Sequence, residues 1–210
     1  MTGGSGLDTY RGKRHFDRTR EPRGGRATAG DAPCFVVQIH DASTLHFDFR
    51  LEVDDVWKSW SVPKGPSADP HDKRLAIPTE DHPLEYREFE GVIAQGEYGA
   101  GTVIIWDEGS YRPLPGKKGK ARTFGEALEL GHAAFWLEGS KLHGGYALTR
   151  FRGGAGERES WLLVKENDER AERRGTPDAR RARSVRSGRT LRRVAGEEAA
   201  GGGGGDERER

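Results

Sequence analysis

The alternation of residue types across residues 45–52 constrains this chain more than any other stretch of its sequence. Apolar residues occupy every second position, and ionisable side chains occupy the positions between them. Side chains of a β-strand point alternately to opposite faces, so the pattern predicts a strand with one apolar and one polar face. The polar face is unusual because His46, Asp48 and Arg50 follow one another along it, about 7 Å apart.

A second histidine, His40, ends an apolar run and stands six positions before His46. The intervening segment 41–44 has turn-forming residues, which allows two strands to fold back on each other. We therefore expect His40 to lie beside His46 and Asp48. Two imidazoles and one carboxylate suit a divalent transition metal such as Mn, Fe or Zn, and three protein ligands leave positions open for water and substrate. The other interpretation is a polar sheet face with two unrelated histidines.

Arg50 cannot ligate a metal, but its planar fork fits a phosphate or carboxylate group held beside one. The pattern therefore indicates either phosphate-ester chemistry or carboxylate binding. Further candidates follow predicted strand ends or lie in predicted loops, where functional residues concentrate. These candidates are Lys64, Arg74, His82 and Tyr86.

The charges of the chain are unevenly distributed, although its net charge is only +1. Residues 1–33 carry a net +3, residues 34–166 a net −5 and residues 167–210 a net +3. We expect a basic N-terminal arm (1–33) partly ordered over the site, a β-barrel domain (34–168) and a disordered Arg/Gly-rich tail (169–210). Seven arginines and no acid within residues 180–193 favour attraction to a polyanion, although solubility alone would also explain them.

The single cysteine, Cys34, fits a reducing compartment, because it has no partner for an internal disulfide. The N-terminus lacks the pattern of a signal peptide, and no apolar run approaches the ~20 residues needed to span a bilayer. We therefore expect a cytoplasmic protein without a membrane partner.

Many short strands separated by turn signals predict a mainly β fold, a small closed or nearly closed barrel. Strands are expected at 35–39, 45–53, 56–62, 74–77, 102–106, 134–137, 146–151 and 160–165. A tight hairpin turn is expected at Asp54-Asp55. One short helix is expected after Thr123, because Thr123 and Glu126 form a capping-box pattern and Gly131 follows as a stop.

Three runs together resemble the 3′-phosphoesterase module of bacterial DNA ligase D, the non-homologous end-joining ligase. They are QIHDASTLHFDFRLE (38–52), KSWSVPKGPS (58–67) and EDHPLEYREFEGVIAQGEYGAG (80–101). The segments 137–151 and 160–171 resemble the end of that module. The resemblance covers about residues 10–171, and no stretch resembles the ligase or polymerase modules, so we expect a free-standing phosphoesterase.

The resemblance implies a small β-barrel that holds one Mn²⁺ ion, or another divalent transition metal, in a crescent-shaped groove. It implies as metal ligands His40, His46 and Asp48. The residues that it implies in phosphate binding or support of the site are Arg50, His82, Lys64, Arg74 and Tyr86. Gln38 and Ser59 fall where the family has polar residues near the site, and an N-terminal arm lying over the site would add Arg14 or His15 to it. The family's arm usually reads Lys-Arg-Asp-Phe, whereas this chain reads Lys13-Arg14-His15-Phe16. His15 replaces the family's acid, so the role of that carboxylate is open here.

The resemblance also implies the substrate, the 3′ end of a DNA primer strand on a template. The family removes a terminal ribonucleoside to leave a 3′-phosphate, and then removes that phosphate to leave a 3′-hydroxyl. Expected partners are such DNA ends, a separate DNA ligase and Ku. His82 is expected to stabilise developing charge or to protonate the leaving oxygen.

Two other functions are compatible with the residues. A non-haem iron oxygenase would use His46, Asp48 and His82 as its facial triad, with Arg50 holding a keto-acid carboxylate. A non-catalytic barrel would only bind DNA ends for a repair complex.

Overall fold

The computed structural model describes residues 6–25, 30, 32–115, 123–153 and 158–201. Its strands are β1 (Cys34–Asp41), β2 (Leu45–Val53), β3 (Val56–Val62), β4 (Lys73–Pro78), β5 (Gly91–Ile93), β6 (Gly101–Pro113), β7 (His132–Gly139), β8 (His143–Arg152) and β9 (Ser160–Lys165). Its helices are α1 (Asp8–Gly12), α2 (Phe124–Glu129), α3 (Leu191–Gly201) and a 3₁₀ helix at Leu84–Glu88. Within these ranges, no helix has both the length and the apolar character to cross a membrane.

Eight of the strands close into an antiparallel barrel, which confirms the predicted fold class. The sheet runs β1-β2-β3-β4-β9-β8-β7-β6, and β6 pairs back with β1 to close it, while β5 adds to the edge of β6. The β2–β3 hairpin turns at Asp54 and Asp55, which both have positive φ angles of 50° and 63°. Such a turn matches the right-handed twist of the flanking strands, and the predicted hairpin is confirmed.

The alternation along β2 divides its side chains between the barrel interior and the outer wall. Phe47, Phe49 and Leu51 point into the barrel and belong to its large interior core. A second, smaller core lies on the outer wall, where strand residues such as Trp57 are covered by Tyr10 from the N-terminal arm. The polar face of β2 lies on this outer wall, so the candidate residues are outside the barrel and yet largely covered.

Two further features of the barrel bear on the sequence predictions. The capping box of α2 is confirmed, because Thr123 Oγ1 accepts from the Glu126 amide and Glu126 Oε2 accepts from the Thr123 amide. Strand β6 extends well beyond the predicted 102–106, since it pairs with β1 and then β7. Polar residues conceal this continuation in the sequence: Asp107 is fully buried and accepts the backbone amides of residues 140–142.

The C-terminal segment differs from the expected disordered tail, because residues 169–201 pack on the barrel. Helix α3 buries Leu191 and Val194, which are 4 % and 3 % exposed and join the interior core. Arg186 donates two hydrogen bonds to Glu108, at 2.6 and 2.8 Å. The sparse apolar residues of this segment show no periodic pattern, and the acidic partners of its arginines lie far away in sequence. The charged end of the chain, with residues 202–205 of the glycine run, lies outside the described residues.

Candidate metal and phosphate site

The register of β1 against β2 brings three candidate ligands together on the outer wall. His40 stands directly opposite His46, and Gln38 stands opposite Asp48. The ligand atoms of His40, His46 and Asp48 all lie within 4.8 Å of one another. Asp48 Oδ2 lies 3.7 Å from His40 Nδ1, and its Oδ1 lies 3.6 Å from His46 Nε2. The juxtaposition expected from the 41–44 turn is therefore present in the structure.

The hydrogen bonds of the two imidazoles decide which nitrogen of each ring is available. His40 Nε2 lies 2.7 Å from the Gly99 carbonyl oxygen, and His46 Nδ1 lies 2.7 Å from the Thr44 carbonyl oxygen. A carbonyl oxygen only accepts, so both of these nitrogens carry the proton. The remaining nitrogens, His40 Nδ1 and His46 Nε2, hold lone pairs directed toward Asp48. Metal-binding histidines are usually oriented in this way, so the residues fit a divalent transition metal.

The electrostatics keep Asp48 ionised. Burial alone would raise the pKa of this carboxyl group, but the positive charge of the Arg50 guanidinium is the largest of the opposing effects, and the pKa is lowered overall. The pKa of Asp48 therefore lies well below its usual value, and the group is an ionised carboxylate throughout the neutral range.

Arg50 is held in one position, because it is only 2 % exposed and three of its donors are occupied. Its Nε donates to Gln38 Oε1 at 3.0 Å, Nη1 to Ser59 Oγ at 2.8 Å and Nη2 to Asp48 Oδ2 at 3.1 Å. Gln38 is itself fixed, since its amide nitrogen donates to the carbonyls of Tyr86 and Phe89. A guanidinium has five N–H groups, so two remain for an anion beside the cluster.

His82 lies on the same wall, where paired backbone hydrogen bonds to Trp57 attach it to β3. Its Nδ1 donates to the Glu80 carbonyl at 2.8 Å, which leaves a lone pair on Nε2, 3.4 Å from Arg14 Nη2. Burial, then the charges of Arg50 and Arg14, lower the pKa of His82 well below its usual value. The imidazole is therefore neutral at pH 7 and has a proton-accepting nitrogen.

The N-terminal arm contributes a buried acid, Glu21, that the sequence analysis did not identify. Glu21 is 4 % exposed and accepts hydrogen bonds from Arg14 Nε at 2.8 Å and from the Tyr86 hydroxyl at 3.0 Å. Burial, then the charge of Glu21, raises the pKa of Tyr86 well above its usual value, so its hydroxyl keeps its proton. Arg14 is thereby held beside His82, while no local pattern in the Arg/Gly-rich arm distinguishes Glu21 from a solvated acid.

Three candidates lie apart from the cluster. His15 is exposed and pairs with Glu97 at 3.0 Å, and Arg74 donates to Asp72 at 2.9 Å. Lys64 lies on an exposed turn after β3. Among the described residues, no hydrogen bond or ion pair joins any of the three to the His-His-Asp cluster. His82 is also absent from the group of possible metal ligands found in these ranges, so the triad of the oxygenase alternative is not assembled.

The fold and the site together define a class of protein, an antiparallel β-barrel with a candidate metal centre and a fixed guanidinium on its outer wall. A family model described as the DNA ligase D 3′-phosphoesterase domain matches residues 38–150, more than half of the chain. The chain belongs to this family.

Individual relatives agree with the family model. The multifunctional non-homologous end joining protein LigD of Pseudomonas aeruginosa is 46% identical over 197 residues, which cover 92% of this chain and 22% of the relative. The corresponding DNA repair protein LigD of Mycobacterium tuberculosis is 43% identical over 157 residues, with 74% of this chain and 19% of the relative covered. LigD of Mycolicibacterium smegmatis is 38% identical over 172 residues, covering 78% and 21%. The chain thus spans about a fifth of the length of the curated relatives it matches.

Proposed function

We propose that this chain is a metal-dependent phosphoesterase that processes the 3′ ends of DNA during end-joining repair. It removes a 3′-terminal ribonucleoside to leave a 3′-phosphate and then removes that phosphate to leave a 3′-hydroxyl. The observation that carries the proposal is the fixed Arg50, which has two unused N–H donors directly beside the ionised Asp48. Membership of the phosphoesterase family supports the same assignment.

His40 Nδ1, His46 Nε2 and the Asp48 carboxylate would hold the metal, for which we propose Mn²⁺. When bound, a divalent ion withdraws charge from a phosphate oxygen and lowers the pKa of bound water. The two imidazole nitrogens and the carboxylate of this cluster also suit Fe and Zn.

Arg50 donates its remaining N–H groups to a non-bridging phosphate oxygen, and Gln38 and Ser59 keep its plane in position. His82 is neutral in the free protein, because burial and the nearby arginines lower its pKa, and its lone pair lies on Nε2 since Nδ1 carries the proton. The two roles expected from the sequence, stabilising developing charge or protonating the leaving oxygen, both require a proton on this nitrogen during the reaction. Arg14, held by Glu21, places a second guanidinium beside His82.

A terminal ribose is recognised through its 2′-hydroxyl, the group that distinguishes RNA from DNA. Lys64 and Arg74 act in support of the site. A separate ligase and Ku act on the same DNA ends as this protein. The 3′-hydroxyl product is the form that a strand-joining enzyme requires.

The experiment uses a 5′-labelled primer-template with one 3′-terminal ribonucleotide, incubated with protein and Mn²⁺. We expect the labelled strand to shorten to a 3′-phosphate and then to change to a 3′-hydroxyl. A His46→Ala variant should do neither, while His132→Ala, an exposed histidine that bonds only Thr149 in the described structure, should match the wild type. An unchanged primer with wild-type protein would refute the proposal. Oxygen uptake with Fe²⁺ and a 2-oxo acid would instead indicate the oxygenase.

A further inference from the structure

Tyr98 is the exposed exception among the tyrosines of this protein. Its side chain is 48 % exposed, whereas the other four are buried: Tyr10, Tyr86, Tyr111 and Tyr146. It follows the short β5 in a loop with positive φ angles at Gly96 and Gly99, backbone conformations that glycine adopts without strain. An exposed ring on a defined loop is available for contact with a ligand.

The loop places this ring at the edge of the candidate metal site. The next residue, Gly99, provides the carbonyl that accepts the hydrogen bond from His40 Nε2. A Cβ atom at Gly99 would lie 3.5 Å from the His40 ring, so the loop backbone lies directly against the imidazole. The position of Tyr98 is therefore coupled to the ligand cluster through a single peptide unit.

Two cations of the N-terminal arm lie against the ring. Lys13 Nζ is 3.3 Å from the Tyr98 hydroxyl and 4.5 Å from the ring centroid. The Arg14 guanidinium lies 5.5 Å from the same centroid and also contacts His82. Tyr98 is thus partly exposed to solvent and contacts Arg14, which lies beside His82, so positive charge adjoins its ring.

We propose that Tyr98 stacks on the nucleobase of the 3′-terminal nucleotide, while the adjacent phosphate lies at Arg50 and His82. This inference rests on the proposed function and specifies how the terminal base of its substrate is bound. A terminal base that leaves the duplex stack to bring its phosphate under the arm loses a stacking neighbour, and an aromatic side chain replaces it. Such stacking is sequence-tolerant, because every base has a π-face, so end processing would not depend on the terminal base.

The test measures binding without metal, so that no turnover is needed. Fluorescence anisotropy compares two labelled primer-templates, one ending in an adenosine ribonucleotide and one ending in an abasic ribose. We expect wild-type protein to prefer the base-containing end by roughly tenfold, the scale of one stacked base. Tyr98→Phe should keep the preference, because the ring remains, and Tyr98→Ala should remove it.

Three results would overturn the inference. One is equal affinity of the wild type for both ends, and another is a preference that survives in Tyr98→Ala. The third is a loss in Tyr98→Phe equal to that in Tyr98→Ala, which would show that the hydroxyl contact with Lys13 matters and the ring does not. Cleavage of the same DNA with Mn²⁺ is scored separately, so absent turnover counts against the proposed function and leaves the base preference measurable.

Discussion

Arg50→Lys is the substitution whose effect on stability is best defined by the described contacts. The guanidinium makes three buried hydrogen bonds, to Gln38, Ser59 and Asp48. A lysine ammonium keeps the charge near Asp48 but cannot reach all three acceptors from one nitrogen. We expect two bonds to be lost, each worth about 1.5–3 kcal/mol because the donor is charged. The expected destabilisation is about 3–6 kcal/mol, a large part of the ~5–15 kcal/mol that stabilises a typical domain.

Urea unfolding of the metal-free protein, followed by tryptophan fluorescence, measures this change directly. With a slope of ~2 kcal/mol/M, the midpoint should fall by about 1.5–3 M. Arg112→Lys is the matched control, because Arg112 is exposed and the only contact described for its side chain is with the Trp136 ring. Its free energy of unfolding should stay within about 0.5 kcal/mol of that of the wild type. A shift in Arg50→Lys no larger than in the control would refute the assignment of Arg50 as a buried, fully constrained residue.

The proposed metal ligands are His40, His46 and Asp48. Alanine substitution of any one of them should abolish Mn²⁺ binding, measured by calorimetry, and both phosphoesterase activities. Full activity in a folded variant would remove that residue from the site. Because the pKa of His82 is low in the folded state, its imidazole stays neutral below about pH 6.5, where the same group in the unfolded chain binds a proton. Stability should therefore fall on acidification. His82→Gln should flatten this dependence between pH 7 and 5, and an identical slope would contradict the prediction. Truncation after residue 168 removes Leu191 and Val194 from the core and should lower the melting temperature by several degrees, whereas an unchanged value would mean that the segment does not pack. Arg180→Gln with Arg181→Gln, both exposed in that segment, should weaken duplex binding and reduce its salt dependence; equal salt slopes would show that these arginines do not contact DNA.

The part of the site that could be predicted from the sequence is the part made by neighbouring strands. The alternation along β2 and the turn before it are short-range signals, and they are sufficient to place His46 and Asp48 on one face and His40 beside them. The same alternation places Arg50 beside the cluster, because Arg50 occupies the next position on that face.

The rest depends on contacts between residues that are distant in sequence. Glu21 reaches Tyr86 across 65 positions, and neither residue lies in a pattern that predicts the other. The same holds for the C-terminal segment, where a few isolated apolar residues pack on a barrel that must already exist. Local composition describes such segments as solvated, and only the assembled barrel provides the surface that orders them.

The division of β2 between the interior core and the polar outer wall restricts how this protein can change. Side-chain direction has a period of two, so one inserted or deleted residue within Leu45–Val53 would exchange the faces of every position beyond it. Ionisable side chains such as Asp48 would turn into the interior core, and phenyl rings such as Phe49 would turn toward the arm. Substitution can therefore modify the chemistry and the core separately, position by position, whereas a change in strand length would disrupt both at once. A library of single-codon insertions and deletions should accordingly find this strand nearly invariant in length.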